Sequence, residues 1–164
     1  MVVLSVFLFS YYKADEIKKR FENLKQLKRG LTIIKNEISF SSQEMENVAK
    51  ELSEILDGDC AEAFFSISEN LKENPCKSFG QAWSEAMDKM GKNAFLPVSA
   101  KKIMNEFAMK SGQMSKDIEI ENIDKTITLL EEEIKAESRE SEKNRKLIFS
   151  LGGITGLSVL IILL

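Results

Sequence analysis

Between Ser115 and Leu151 the chain contains neither proline nor glycine, and Ile120, Ile123, Ile127, Leu130 and Ile134 recur at alternating intervals of three and four. A run this long without a breaker folds as one helix, because every residue keeps its N–H for the i−4 carbonyl and none carries the penalty of glycine or proline. The spacing is that of a heptad seam, which needs a second helix to cover it. Beyond Ile134 the stripe stops. Residues 135–146 (KAESRESEKNRK) are polar all round yet rich in helix formers, and read as a solvated helical neck.

The neck feeds, without a break, into residues 147–164 (LIFSLGGITGLSVLIILL), which carry no charge. As a helix this segment reaches roughly 27 Å, close to the ~30 Å hydrocarbon core of a bilayer, and is expected to be a C-terminal transmembrane helix. Lys143, Arg145 and Lys146 stand at its entrance and set that side as cytoplasmic. Within it, Gly152 and Gly156 form a G-x-x-x-G beside Gly153, a small-residue face on which another helix could pack closely; the alternative is that these glycines contact only lipid. The first twelve residues (MVVLSVFLFSYY) are also apolar and end in two tyrosines of the interfacial kind. They span only about 18 Å as a helix, too little to cross alone. With no basic leader and no small-residue cleavage site, they read as a shortened, truncated transmembrane segment rather than a secretory signal; a short interfacial or buried segment is the alternative. Lys13, Lys18, Lys19 and Arg20 follow it, so both basic flanks put the middle of the chain in the cytoplasm.

Residues 13–134 are expected to form an all-α bundle, which with the long last helix makes about six helices. Ile17, Phe21, Leu24, Leu27, Leu31, Ile34 and Ile38 mark an amphipathic helix from Asp15 to Phe40 that tolerates Gly30. Ser41 with Glu44 reads as a capping box and Phe40 as a staple onto Met45, opening a second helix with Val48, Ala49, Leu52, Ile55 and Leu56 inward. Asp57-Gly58 turns the chain and Asp59 with Glu62 restarts it. Phe64, Phe65, Ile67, Ser68 and Leu71 then form an apolar face that ends at Asn74-Pro75. Ser78 with Gln81 is a further capping box, leading to Phe79, Ala82, Trp83, Ala86, Met87 and Met90, with Gly91 as the stop. Ser99 is placed to cap a fifth helix carrying Ile103, Met104, Phe107 and Ala108, closed by Gly112. No strand-like alternation of any length occurs. Helices of three or four turns are marginal alone and must pack together. Trp83, the one tryptophan, is expected to be a core anchor rather than a ligand platform.

The chemistry available is narrow. There is no histidine, which removes the commonest general base and the usual serine and cysteine triads. Cys60 and Cys76 lie sixteen positions apart with nothing to complete a metal site, and read as reduced, partly buried thiols in a reducing compartment; a disulfide is the alternative. The acidic runs Glu131 to Glu133 and Glu140, Glu142 have Lys135, Arg139 and Lys143 four along, the spacing of helical surface ion pairs rather than of a metal site. No phosphate-cradling glycine loop occurs, so any ATP-driven work falls to a partner. A net charge of −3 from 23 basic and 26 acidic residues, all between Lys13 and Lys146, gives no basic face for nucleic acid. The expectation is no enzyme, no cofactor and no small-molecule substrate.

Several of these features coincide in one family. Glu37-Ile38-Ser39-Phe40 after the basic helix, the stretch Ser78 to Met87 around Ala82-Trp83, Gly112 ahead of the long last helix, and Glu142-Lys143-Asn144-Arg145-Lys146-Leu147 followed by Leu151-Gly152-Gly153 resemble stage III sporulation protein AB of endospore-forming bacteria, over essentially the full chain. The chain departs from that pattern at Gln43-Glu44, where the family tends to Thr-Pro, and in the turn after Gly112. The resemblance implies a cytoplasmic helical bundle similar to the domains of the type II secretion inner-membrane platform protein. It further implies a membrane platform in the channel or secretion-like complex between mother cell and forespore. Such a platform sits in the mother-cell membrane facing the forespore and contacts other stage III sporulation proteins, including the cytoplasmic ATPase. The rival reading is a membrane-anchored regulatory coiled-coil protein in which Ile120 to Ile134 dimerise.

Overall fold

Six helices succeed one another in the computed structural model, which describes residues 2–40, 44–90, 96–112 and 115–163, with side chains at 15–40, 44–89, 96–112, 115–139 and 142–143. They are α1 (Val2–Phe40), α2 (Met45–Ile55), α3 (Gly58–Glu73), α4 (Phe79–Met90), α5 (Val98–Lys110) and α6 (Lys116–Leu163). No strand occurs among the described residues. Each helix packs on the next from α2 to α6, and α6 returns to lie along α1. The amphipathic helix foreseen from Asp15 begins far earlier: α1 is one unbroken helix from Val2, so the first apolar stretch is its N-terminal end and not a separate element. Nothing between Tyr12 and Asp15 breaks it, since Lys13 and Ala14 are ordinary helix formers.

One contiguous core joins Leu24, Leu27, Leu31 and Ile34 of α1 with Val48 and Leu52 of α2, Phe64 and Ile67 of α3, Trp83 of α4, Met104 and Phe107 of α5, and Ile123 and Leu130 of α6. Its centre is aromatic. Trp83 meets Phe64 edge-on at 6.1 Å between centroids and lies 6.4 Å from Phe79, which in turn meets Phe107 edge-on at 6.2 Å. The indole N–H of Trp83 donates to Asn105 Oδ1 at 2.9 Å, so the ring is 1% exposed without stranding a donor. Phe65, grouped with this face by its sequence neighbours, instead points outward and is 58% exposed; Ala63, Phe64 and Ile67 already fill the arc of α3 that meets the core.

The capping expectations divide. The Ser78–Gln81 box forms reciprocally, with Ser78 N–H donating to Gln81 Oε1 at 3.1 Å and Gln81 N–H donating to Ser78 Oγ at 3.2 Å. Of the Ser41–Glu44 box, Ser41 lies outside the described residues, and Glu44 is itself the N-cap of α2, without a side-chain cap. The Phe40 staple is absent, because Phe40 is 89% exposed. At α3 the N-cap is Asp57 rather than Asp59, and the turn is made by Gly58 at φ +58°, a conformation that L side chains rarely adopt. Asp59 is occupied elsewhere, accepting from Asn23 Nδ2 of α1 at 2.9 Å. Pro97 holds the N-cap position of α5, and Ser99 Oγ donates to Glu133 Oε2 of α6 at 2.6 Å instead of capping. At Asp59 and Ser99 a contact between helices has taken the side chain that local sequence assigned to a cap. The stop assigned to Gly91 lies outside the described residues.

Two glycines allow close approach. A Cβ on Gly80 would stand 2.7 Å from the backbone oxygen of Ala108 and 3.0 Å from Met109 Cα, so α4 crosses α5 almost backbone to backbone. At Gly30 a Cβ would meet Leu56 Cδ1 at 3.3 Å and Phe64 Cε2 at 3.5 Å, a tighter fit than open helix surface but against movable side chains.

Candidate functional site: the antiparallel helix pair and its neck

Neither thiol is in a disulfide, and the two differ: Cys60 is buried, whereas Cys76, expected to be partly buried, is exposed. Cys60 Sγ–H donates to the Asn23 carbonyl at 3.5 Å, and burial, with Asp59 second, pushes its pKa up to about 12. A thiol held protonated in this way is no nucleophile. Among the described residues no group of three Cys, Asp or Glu is placed to hold a metal ion. The features with mechanical meaning lie instead along α1 and α6.

Those two helices run antiparallel in a constant register. Lys28 Nζ meets Glu131 Oε1 at 2.6 Å. Seven residues on along α1, Lys35 Nζ meets Asp124 Oδ1 at 2.6 Å, seven residues back along α6. At the far end Lys116 Nζ donates to the Ser39 carbonyl at 2.7 Å. Equal steps of two turns on both helices are the mark of coiled-coil-like packing, in which the crossing angle is shallow and the helices stay together. Glu131, grouped at sequence level with Lys135 on its own helix, has its main partner across the interface: the Lys28 ammonium, by hydrogen bond and charge, lowers its pKa below the ordinary glutamate value, with Lys135 adding a smaller effect. The predicted seam is partly rotated. Ile123 and Leu130 are fully buried, Ile120, Ile127 and Ile134 half-buried, and the remaining arc is filled by Glu119 and Thr126. Glu119 Oε1 accepts from Ser111 Oγ at 2.8 Å and from the Gly112 N–H at 2.9 Å, tying the start of α6 to the end of α5.

The neck is not solvated all round. Glu137 is 7% exposed, and Ile17, towards the same end of α1, is 5% exposed. Lys143, one of the basic flank, is exposed; the backbone of α6 continues through Arg145, Lys146, Gly152, Gly153 and Gly156, whose surroundings lie outside the described residues. Among the described residues no helix is long and apolar enough to cross a membrane. At the opposite end of the pair, exposed apolar side chains gather at the helix ends: Phe40 at 89%, Met109 at 61% and Ile118 at 52%. A cavity of about 440 Å³ opens nearby between Met45, Leu71, Pro75, Phe79 and Gly112.

Sequence reasoning singled out Trp83 and the glycines but passed over Lys28, Lys35, Glu119, Asp124 and Glu137. Two signals marked four of them, all but Glu119: Lys28 and Lys35 are seven apart, as are Asp124 and Glu131, and Glu137 continues the interval that joins Ile123 to Leu130. A family model for Stage III sporulation protein AB matches residues 1–164. The chain belongs to the stage III sporulation protein AB family. Its fold is likewise similar to a solved structure described as Stage III sporulation protein AB, with a TM-score of 0.71 at 18% identity, over 76% of this chain and 97% of that one. No curated protein matches the sequence. Membership in the stage III sporulation protein AB family makes this a sporulation protein with an all-helical bundle.

Proposed function

We propose that this chain is a non-enzymatic membrane platform of the sporulation channel, a secretion-like complex between mother cell and forespore. The observation that carries the reading is the antiparallel pair: α1 and α6 are continuous and in register, so the apolar stretches at their outer ends leave the bundle from the same end. Leu147–Leu164 crosses the mother-cell membrane that faces the forespore, the bundle stays in the cytoplasm behind Lys143, Arg145 and Lys146, and residues 1–12 accompany the anchor. Gly152, Gly153 and Gly156 form the face on which that first segment or a sister membrane protein packs. Contact with the cytoplasmic ATPase and other stage III proteins falls to the membrane-distal parts of the bundle, with no chemistry of the chain's own. Against the coiled-coil alternative stands the burial of Ile123 and Leu130, two of its five seam residues, in the chain's own core.

The test is a chain ending at Lys146 in place of the natural protein. It moves to the soluble fraction and sporulation stops after septation. Normal spore yield from the shortened chain overturns the platform reading.

A further inference from the structure

The neck was expected to be one solvated helix, yet one of its described residues, Glu137, is buried where a second helix would bury it, while Lys135, Ala136, Arg139, Glu142 and Lys143 are exposed. On α6, Ile123, Leu130 and Glu137 are spaced by sevens, with exposures of 0%, 0% and 7%. On α1, Ile17, Leu24 and Leu31 are likewise spaced by sevens, at 5%, 0% and 0%. The register set by Lys28–Glu131 and Lys35–Asp124 extrapolates without a break to bring position 22 of α1 level with Glu137 and position 17 level with 142. Neither helix is interrupted there. From the base of α3, Asp59 accepts from Asn23, itself 8% exposed, which pins α1 at the height of Glu137.

We infer that α1 and α6 remain paired through the neck, as a closed two-helix stalk in which Glu137 occupies a seam position. A polar residue at such a position costs stability but favours one alignment of the two helices over others. The consequence is mechanical: the bundle is held at one height and one orientation over the membrane, and the apolar ends of α1 and α6 are delivered side by side. This rests on the membrane-platform reading for its biological sense, but the pairing is a property of the folded chain and is measured separately.

The experiment uses the full chain in detergent micelles, with Cys76→Ser removing the exposed thiol and buried Cys60 left in place. Spin labels at Lys18→Cys and Glu142→Cys report the neck, and labels at Lys25→Cys and Glu132→Cys report the same helix pair inside the bundle. Electron–electron double resonance gives a neck distance distribution as narrow as that inside the bundle. Glu137→Lys, which sets a cation within a turn of Lys19 and Arg20, broadens the neck distribution and leaves the bundle pair narrow; Glu137→Gln leaves both narrow. A broad neck in the otherwise natural chain, or a neck unmoved by Glu137→Lys, overturns the pairing. Alkaline extraction of membranes keeps the two ideas apart: a narrow neck in a chain that washes off sinks the anchor alone, and a broad neck in a chain that stays sinks the stalk alone.

Discussion

The charged residues that matter are those whose partner sits on another helix. Glu131 and Lys28 illustrate it, since both lie on the surface and each is matched to one position of the opposite helix. Because the folded state holds the Glu131 carboxyl below its ordinary value, the stability this pair contributes is whole above the unfolded pKa of about 4.3 and is lost as pH falls through the lower folded value. Thermal melting followed from pH 6 to 3 therefore declines less steeply for Glu131→Gln than for the natural chain; identical slopes would show that the pair contributes nothing to the acid dependence. Cys60 has the opposite sign. Its raised pKa keeps the thiol protonated while the unfolded chain ionises, so its effect appears as stability lost on the alkaline side, between the unfolded value near 9.0 and about 12. The reading of both cysteines as free thiols and of Trp83 as a core side chain needed only residue type and spacing. The pairing of Glu131 with Lys28 needed a second helix, and local spacing pointed only to its lesser partner, Lys135.

Among the elements, helix existence was legible and helix ends were not. Apolar spacing placed α2 to α5 within a few residues, because an amphipathic stripe records which face is buried whatever it is buried against. The caps depend on what else the capping side chain can reach. Ser78 and Gln81 face each other across an exposed first turn with no competitor, and they bond. Ser99 has Glu133 within reach and takes it, with Pro97 standing at the N-cap. Gly80 belongs to this scale too, as the point where α4 touches α5. Gly80→Ala gains helix propensity but drives a methyl into the Ala108 carbonyl, and neither backbone can yield as a side chain could. The expected net is a loss of about 1–3 kcal/mol in urea unfolding, whereas Gly30→Ala, facing only Leu56 and Phe64 side-chain atoms, stays near neutral because about 1 kcal/mol of propensity offsets the fit. Equal effects at the two sites would refute the backbone-contact argument.

For the whole molecule, the antiparallel register gives the bundle two unlike ends, one from which the apolar stretches leave and one that exposes Phe40, Met109 and Ile118. If the latter end meets the cytoplasmic ATPase, the double variant Phe40→Ser with Ile118→Ser reduces co-purification from sporulating cells several-fold while melting is unchanged, since neither side chain is buried; full recovery of the partner would move the contact elsewhere on the bundle. The chain's own residues determined the all-helical class, the order of the helices, the apolar ends with their basic flanks and the narrow range of chemistry, because periodicity, charge and the absence of histidine are local facts. Only the tertiary structure decided that the heptad seam of α6 is answered by α1, that Glu131 pairs with Lys28, that Ser99 leaves its cap, and that Glu137 is buried in the neck. Each depends on which faces meet, and one helix records that it has a partner without recording which one.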